Sequence, residues 1–241
     1  MHGRQLAPDL RRAPGQRLHR RAITLLESIR IEYETATTPI VISGDIGPRG
    51  DGYVADRLMS AGEAQAYHAP QAGVFAATEA DMLCGMTMNY VEEAIGITRA
   101  AQRVKMPVAI SFTVETDGRL PTGQTLAAAI AETEAATSGY PCYYMVNCAH
   151  PSHFESVLDA DAATALRLRG VRANASRRSH AELNDAPDLD AGDPIEFGAD
   201  YRRLTQLCGG LNVFGGCCGT DVRHVEQIAR ACRSLFAEVR A

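Results

Sequence analysis

An α/β protein built on a parallel sheet is the fold class this sequence predicts, and two observations predict it. Short apolar runs that read as strands buried on both faces alternate with amphipathic, often alanine-rich helical segments. The 241 residues are enough to bury a large core and suit one α/β barrel domain or one to two smaller domains. No linker and no internal repeat beyond the alternation interrupts the pattern.

Met1–Arg21 holds six arginines against one acid, with prolines at 8 and 14. An Arg-rich, acid-poor start suits either a transit peptide or a basic tail. The serines of a transit peptide are missing, so residues 1–21 read as a disordered basic segment and 22–241 as a single domain. From Arg21 the pattern is helical, with Ala22, Leu25, Leu26, Ile29 and Tyr33 on one face. Pro39–Ser43 reads as a buried strand, and residues 44–52 as a turn-rich loop whose glycines allow close approach of a ligand. No Gly-Lys-Ser/Thr follows, which excludes a phosphate-binding loop.

Ser60 with Glu63 three residues on forms a capping box for a helix reaching Ala77. A strand at Asp81–Gly85, a helix at Val91–Val104, a strand at Pro107–Val114 and a helix at Thr125–Thr137 follow. Tyr143–Asn147 is the next strand, Phe154–Leu168 a helix and Val171–Asn174 a brief strand. Ser176–Asp193, dense in Ser, Asn, Asp, Pro and Gly, reads as the longest and most mobile loop. A helix from about Ile195 to Leu207, the Gly209-Gly210 break, a strand at Asn212 and a final helix close the chain. The strands number six.

The formal net charge of −5 offers no electrostatic reason to bind nucleic acid or an anionic membrane. No apolar run has the length of a membrane span, and no secretory signal is visible. Seven cysteines, an odd count, argue for reduced thiols in a cytoplasmic protein. Cys84, Cys142, Cys208 and Cys232 read as small buried apolar residues.

The other three cysteines carry the chemistry. Asn212-Val213-Phe214-Gly215-Gly216-Cys217-Cys218-Gly219-Thr220 is a short apolar run ending in two glycines and adjacent cysteines. Neighbouring cysteines make a strained disulfide, and they are not a Cys-x-x-Cys redox pair. A soft metal suits them if a third thiolate arrives from elsewhere. Cys148, which ends the run Tyr143-Tyr144-Met145-Val146-Asn147, is the candidate. Three thiolates from two strand ends suit zinc and leave its fourth position open for chemistry.

Val146-Asn147-Cys148 followed by Gly215-Gly216-Cys217-Cys218-Gly219-Thr220 resembles the signature of the homocysteine S-methyltransferase family, over about Ala22 to Cys232. The resemblance implies a (β/α)8 TIM barrel and a zinc-dependent transfer of a methyl group to a thiol such as homocysteine, giving methionine. The donor would be a sulfonium, a quaternary ammonium or a methylated folate. The six strands correspond to strands three to eight of such a barrel, and the family's opening Asp-Gly-Gly strand has no counterpart here. An incomplete barrel has two open edges, which predicts self-association. Family members commonly place a substrate-binding glutamate where this chain has Met86.

Asp45, Thr113, Glu115 and Asn147, at or just beyond strand ends, are further candidates to contact substrate. His150 and His153 read as helix-entry polar residues, or else as alternative ligands. Asp81 reads as structural, and Glu92 and Glu93 as the acidic first turn of a helix. Two functions remain: a thiol S-methyltransferase, or an incomplete barrel that binds zinc or a partner without turnover.

Overall fold

The computed structural model describes residues 14–160 and 167–240. Among them six parallel strands form one sheet in chain order: β1 (Ser43–Ile46), β2 (Met82–Met88), β3 (Val108–Phe112), β4 (Tyr143–Asn147), β5 (Leu168–Ala173) and β6 (Val213–Gly216). Helices fill the connections: α2 (Ala61–Phe75), α3 (Val91–Val104), α4 (Leu126–Thr137), α5 (Pro151–Ala160), the short α6 (His180–Asn184) with α7 (Pro194–Leu207), and α8 (Val222–Cys232) after β6. α1 (Pro14–Tyr33) precedes the sheet, and a 3-10 helix, Arg233–Arg240, ends it.

Unbroken sequential order with parallel pairing is how a βα barrel winds. The sheet curls into a half-barrel, so that Arg172 on β5 lies 3.8 Å from Asp45 on β1 across the concave face. Alternation along the strands splits the apolar side chains between two layers. Leu83, Ile110, Phe112, Tyr144, Val146 and Val171 face the helices and form the main core. Burial of each such side chain contributes about 1.5–3 kcal/mol. Cys84, Ala109 and Met145 make a smaller cluster with Met82, Met86, Tyr143 and Val213. The main core, between sheet and helices, is what the buried strands predicted.

Several elements depart from the sequence reading. The first strand is not Pro39–Ser43 but Ser43–Ile46, which takes Gly44, Asp45 and Ile46 out of the expected loop. Proline has no N–H to pair, and the Ile42 N–H is taken by the Asp81 carboxylate at 2.7 Å, so the ladder with β2 begins only at Ser43. Asp81 is structural, as expected, holding Arg30 of α1 as well. β2 runs on to Met88 through a register shift between Gly85 and Met88. The helix expected from Phe154 to Leu168 begins at Pro151, and Leu168 opens β5; residues 161–166 of that expectation lie outside the described residues. The expected loop Ser176–Asp193 contains α6, capped by Ser179 with Glu182.

α1 starts at Pro14 rather than Arg21; residues 1–13 of the expected basic tail lie outside the described residues. Its anticipated apolar face is largely open, with Leu25 62% and Tyr33 61% exposed, while Ile23 is buried. The helix sits at the β1 edge with little beyond α2 to cover it. Glu93 does stand in the first turn of α3, but it is not a solvated helix-entry acid. It is buried and accepts from the Arg49 backbone N–H at 2.8 Å, with buried His68 of α2 at 2.8 Å from the same oxygen. The loop after β1 is thereby fastened to two helices. Among the described residues no helix is long and apolar enough to cross a membrane.

α2 and α3 meet most closely at Gly96, where a Cβ would lie 2.4 Å from that of Ala64 and 2.7 Å from the Gln65 nitrogen. Gly96→Ala therefore lowers the urea midpoint by the equivalent of about 1–3 kcal/mol. Gly62→Ala, in open space on α2, leaves it unchanged or raised.

Candidate metal centre

The ends of β4 and β6 point the same way with β5 between them, so residues just past each strand share one rim of the sheet. Cys148 follows β4 and adopts the left-handed conformation, φ 55°, which turns the chain sharply at the strand end. Its N–H donates to the Arg172 carbonyl, and the Cys217 N–H donates to that of Ala173, so each cysteine segment extends the ladder on one side of β5. At Gly216 a Cβ would lie 2.2 Å from the Thr220 hydroxyl oxygen, and that hydroxyl donates to the Cys217 carbonyl at 2.7 Å. Only glycine lets the turn close under the cysteine pair.

Buried Asn174, just past β5, joins the two segments. Its side-chain N–H donates to the Cys148 carbonyl at 3.0 Å, and its side-chain oxygen accepts from the Cys218 N–H at 3.1 Å. The sulfurs of Cys148, Cys217 and Cys218 consequently lie within 4.8 Å of one another. Thiols this close compete for protons. Hydrogen bonds from Cys148 and Cys217 hold Cys218 well below the ordinary thiol range, while those to Cys148 and Cys218 push Cys217 up. The donor set is three sulfurs, without a carboxylate. It fits a soft tetrahedral cation, whose ligand sulfurs at about 2.3 Å from a common centre stand roughly 3.8 Å apart.

Cys218 is exposed, and an aromatic pair stands beside it. The Tyr53 hydroxyl lies 3.9 Å from its sulfur, and the Tyr53 ring stacks on His180 of α6 with centroids 3.9 Å apart. Asp51 positions Tyr53 by accepting its N–H, and Asn89 donates to the Asp51 carbonyl. Burial, then the Cys148 sulfur, raises the Tyr53 pKa, which keeps it a neutral phenol; burial lowers that of His180, which keeps the imidazole neutral. Beside them a cavity of ≈ 400 Å³ is bordered by Tyr53, Asn174, His180, Leu183, Leu189 and Cys218.

The remaining candidates are spread along the sheet. Asn147 is buried and its amide is engaged: its oxygen accepts from Ser111 at 2.5 Å and from the Thr87 N–H, and its nitrogen donates to the Thr87 hydroxyl. It stabilises Thr87 in the left-handed conformation, φ 60°, at the β2 irregularity. Asp45 pairs with Arg172 and accepts from Ser43; Met86 packs beside Cys84. Thr113 is buried just past β3, and its hydroxyl has no hydrogen-bond partner among the described residues. Glu115 closes a turn with Arg119, and its charge partly offsets the lowering of the His180 pKa by burial.

His150 and His153 stand at the entry to α5, as expected. Both are buried, with His150 facing Asp200 of α7 at 3.5 Å and His153 at 2.9 Å from the Arg177 carbonyl. Sequence reasoning missed Tyr53, Asn174 and His180. Asn174 carried the one usable signal, a polar residue ending a strand.

The profile of the homocysteine S-methyltransferase family matches residues 5–232, and the chain belongs to that family. Among solved structures it resembles the Escherichia coli homocysteine methyltransferase MmuM. The oxidized form matches with a TM-score of 0.70 at 18% identity, over 89% of this chain and 70% of that one. The metallated form matches with a TM-score of 0.66 at 18% identity, over 90% and 70%. The apo form matches with a TM-score of 0.66 at 18% identity, over 95% and 78%. At this identity the likeness to MmuM speaks to the fold.

Asn174→Ala removes the bridge between the cysteine segments while leaving every sulfur in place. Affinity for added Zn2+, measured by competition with a chromophoric chelator, falls about 10–100-fold, and the far-ultraviolet circular dichroism is unchanged.

Proposed function

We propose that this chain is a zinc-dependent S-methyltransferase, moving a methyl group from a sulfonium, quaternary ammonium or similar donor to a thiol such as homocysteine, with methionine as product. The convergence of Cys148, Cys217 and Cys218 carries the reading, and family membership supports it. Zinc held by these three sulfurs supplies an open position where an acceptor thiol is kept as its thiolate at neutral pH. The protein's own residues do the rest. Asn174 fixes the spacing of the cysteine segments, and Tyr53, stacked on His180, stands beside the exposed Cys218 sulfur. The cavity beside Cys218 has room for a small acceptor and donor. Asp45 and Glu115 are proposed for a substrate ammonium, and Met86, Thr113 and Asn147 as further substrate contacts. The odd count of seven cysteines supports a cytoplasmic setting.

Purified protein retains one zinc per chain and Cys217→Ser loses it; a well-folded, metal-free wild type overturns the reading. A second reading, zinc binding without turnover, draws on Met86 standing where family members commonly carry glutamate. Incubation with homocysteine and a panel of methyl donors separates the two: methionine above background establishes transfer, and zinc-loaded protein inert to every donor favours the second.

Self-association is a further part of the proposal. β1 and β6 are the sheet edges, and α1 leaves Leu25, Ile29, Ile31 and Tyr33 exposed beside β1. Sedimentation velocity at micromolar concentration shows a dimer or larger species that Ile31→Lys weakens; a monomer throughout contradicts it.

A further inference from the structure

A second cavity, of ≈ 340 Å³, lies beside the first, and none of the three cysteines lines it. Ser176 and Asp190 line both cavities, and the Ser176 hydroxyl donates to the Asp190 carboxylate at 2.7 Å, making the partition between them. Asp200, on α7, lines the second cavity and is only 2% exposed. One carboxylate oxygen, Oδ1, accepts from Arg203. The other, Oδ2, is buried and accepts no hydrogen bond among the described residues. Its two charged or chargeable neighbours stand off: His150 Nε2 at 3.5 Å and Arg177 Nη2 at 3.9 Å. A buried carboxylate oxygen left without a donor is costly, and a ligand that supplies one recovers that cost.

The balance of charge around the cavity selects the ligand's sign. Glu182, Asp190, Asp193, Glu196 and Asp200 line it against Arg177 and Arg178. The acids other than Asp200 already have work: Glu182 and Asp193 cap helices, Asp190 accepts from Ser176, and Glu196 lies 3.5 Å from Arg177. Asp200 Oδ2 is therefore the acceptor left for a guest. No trio of His, Cys, Asp or Glu outside the cysteine cluster converges closely enough to hold a metal among the described residues. That leaves an organic cation with N–H bonds.

We propose that this cavity is a binding site for a small protonated amine, which donates a charge-assisted hydrogen bond to Asp200 Oδ2. The site is distinct from the thiolate centre and independent of the metal there. Phe197 forms apolar wall, and the guest reaches the covered Oδ2 by displacing the exposed Arg177 guanidinium that stands 3.9 Å from it.

Ethanolamine hydrochloride, followed by isothermal titration calorimetry on the full chain, is the probe. Saturable binding of one molecule per chain is expected, unchanged in Cys217→Ser and weakened about tenfold or more in Asp200→Asn, the loss of one charge-assisted hydrogen bond. Tetramethylammonium, a cation with no N–H, does not bind. Because Asp200→Asn also disturbs the Arg203 contact, Arg177→Gln provides a second arm. It removes the exposed guanidinium that competes for the same oxygen, and ethanolamine binds it more tightly than wild type. No heat of binding, equal binding of tetramethylammonium, loss of binding in Cys217→Ser, or indifference to both Asp200→Asn and Arg177→Gln overturns the assignment.

Discussion

The side-chain amide of Asn174 holds together two pieces of chain that are far apart in sequence. Its nitrogen donates to the Cys148 carbonyl and its oxygen accepts the Cys218 N–H, so both halves of the amide are used in spanning β5. An amide is suited to this, since it offers a donor and an acceptor a fixed distance apart. Asn174 and Cys148 are buried, and loss of the amide strands the Cys148 carbonyl and frees the Cys218 N–H. The separation of the sulfurs follows from that bridge and from the ladder bonds beside it.

Around the bridge the chain adopts conformations that it would avoid elsewhere. Cys148 and Thr87 are both left-handed without being glycine, at a cost of order 1–3 kcal/mol each. Asn147, the last residue of β4 and next to Cys148, stabilises Thr87 through two hydrogen bonds and gathers Ser111 from β3. Side chains on β2, β3 and β4 thus hold the rim on which the metal centre stands. The loop after β1 is anchored separately by Glu93 and Asn89, and it carries Tyr53 over Cys218.

Much of this was legible in the sequence. The order of strands and helices followed from buried apolar runs and alanine-rich helical stretches, and α3 and β4 fall where periodicity put them. The three sulfurs were legible because adjacent cysteines beside paired glycines have few structural uses. What escaped was set by tertiary partners that no local pattern records. β1 shifted because a side chain 39 residues away takes the Ile42 N–H. α1 shows its apolar face because the sheet edge it lies against provides little cover, and helical periodicity alone says nothing of cover. Glu93 looked like an ordinary first-turn acid until His68 and Arg49 closed on it. Tyr53 and His180 lie in loop and short-helix segments with no periodicity of their own, and only the curl of the sheet makes them neighbours.

X-ray absorption at the zinc edge of the purified protein tests the central claim most directly. Three sulfur scatterers at about 2.3 Å and one lighter atom are expected in the first shell, with the sulfur count falling to two in Cys148→Ser. A first shell of nitrogen and oxygen alone, or one unchanged in Cys148→Ser, would contradict it.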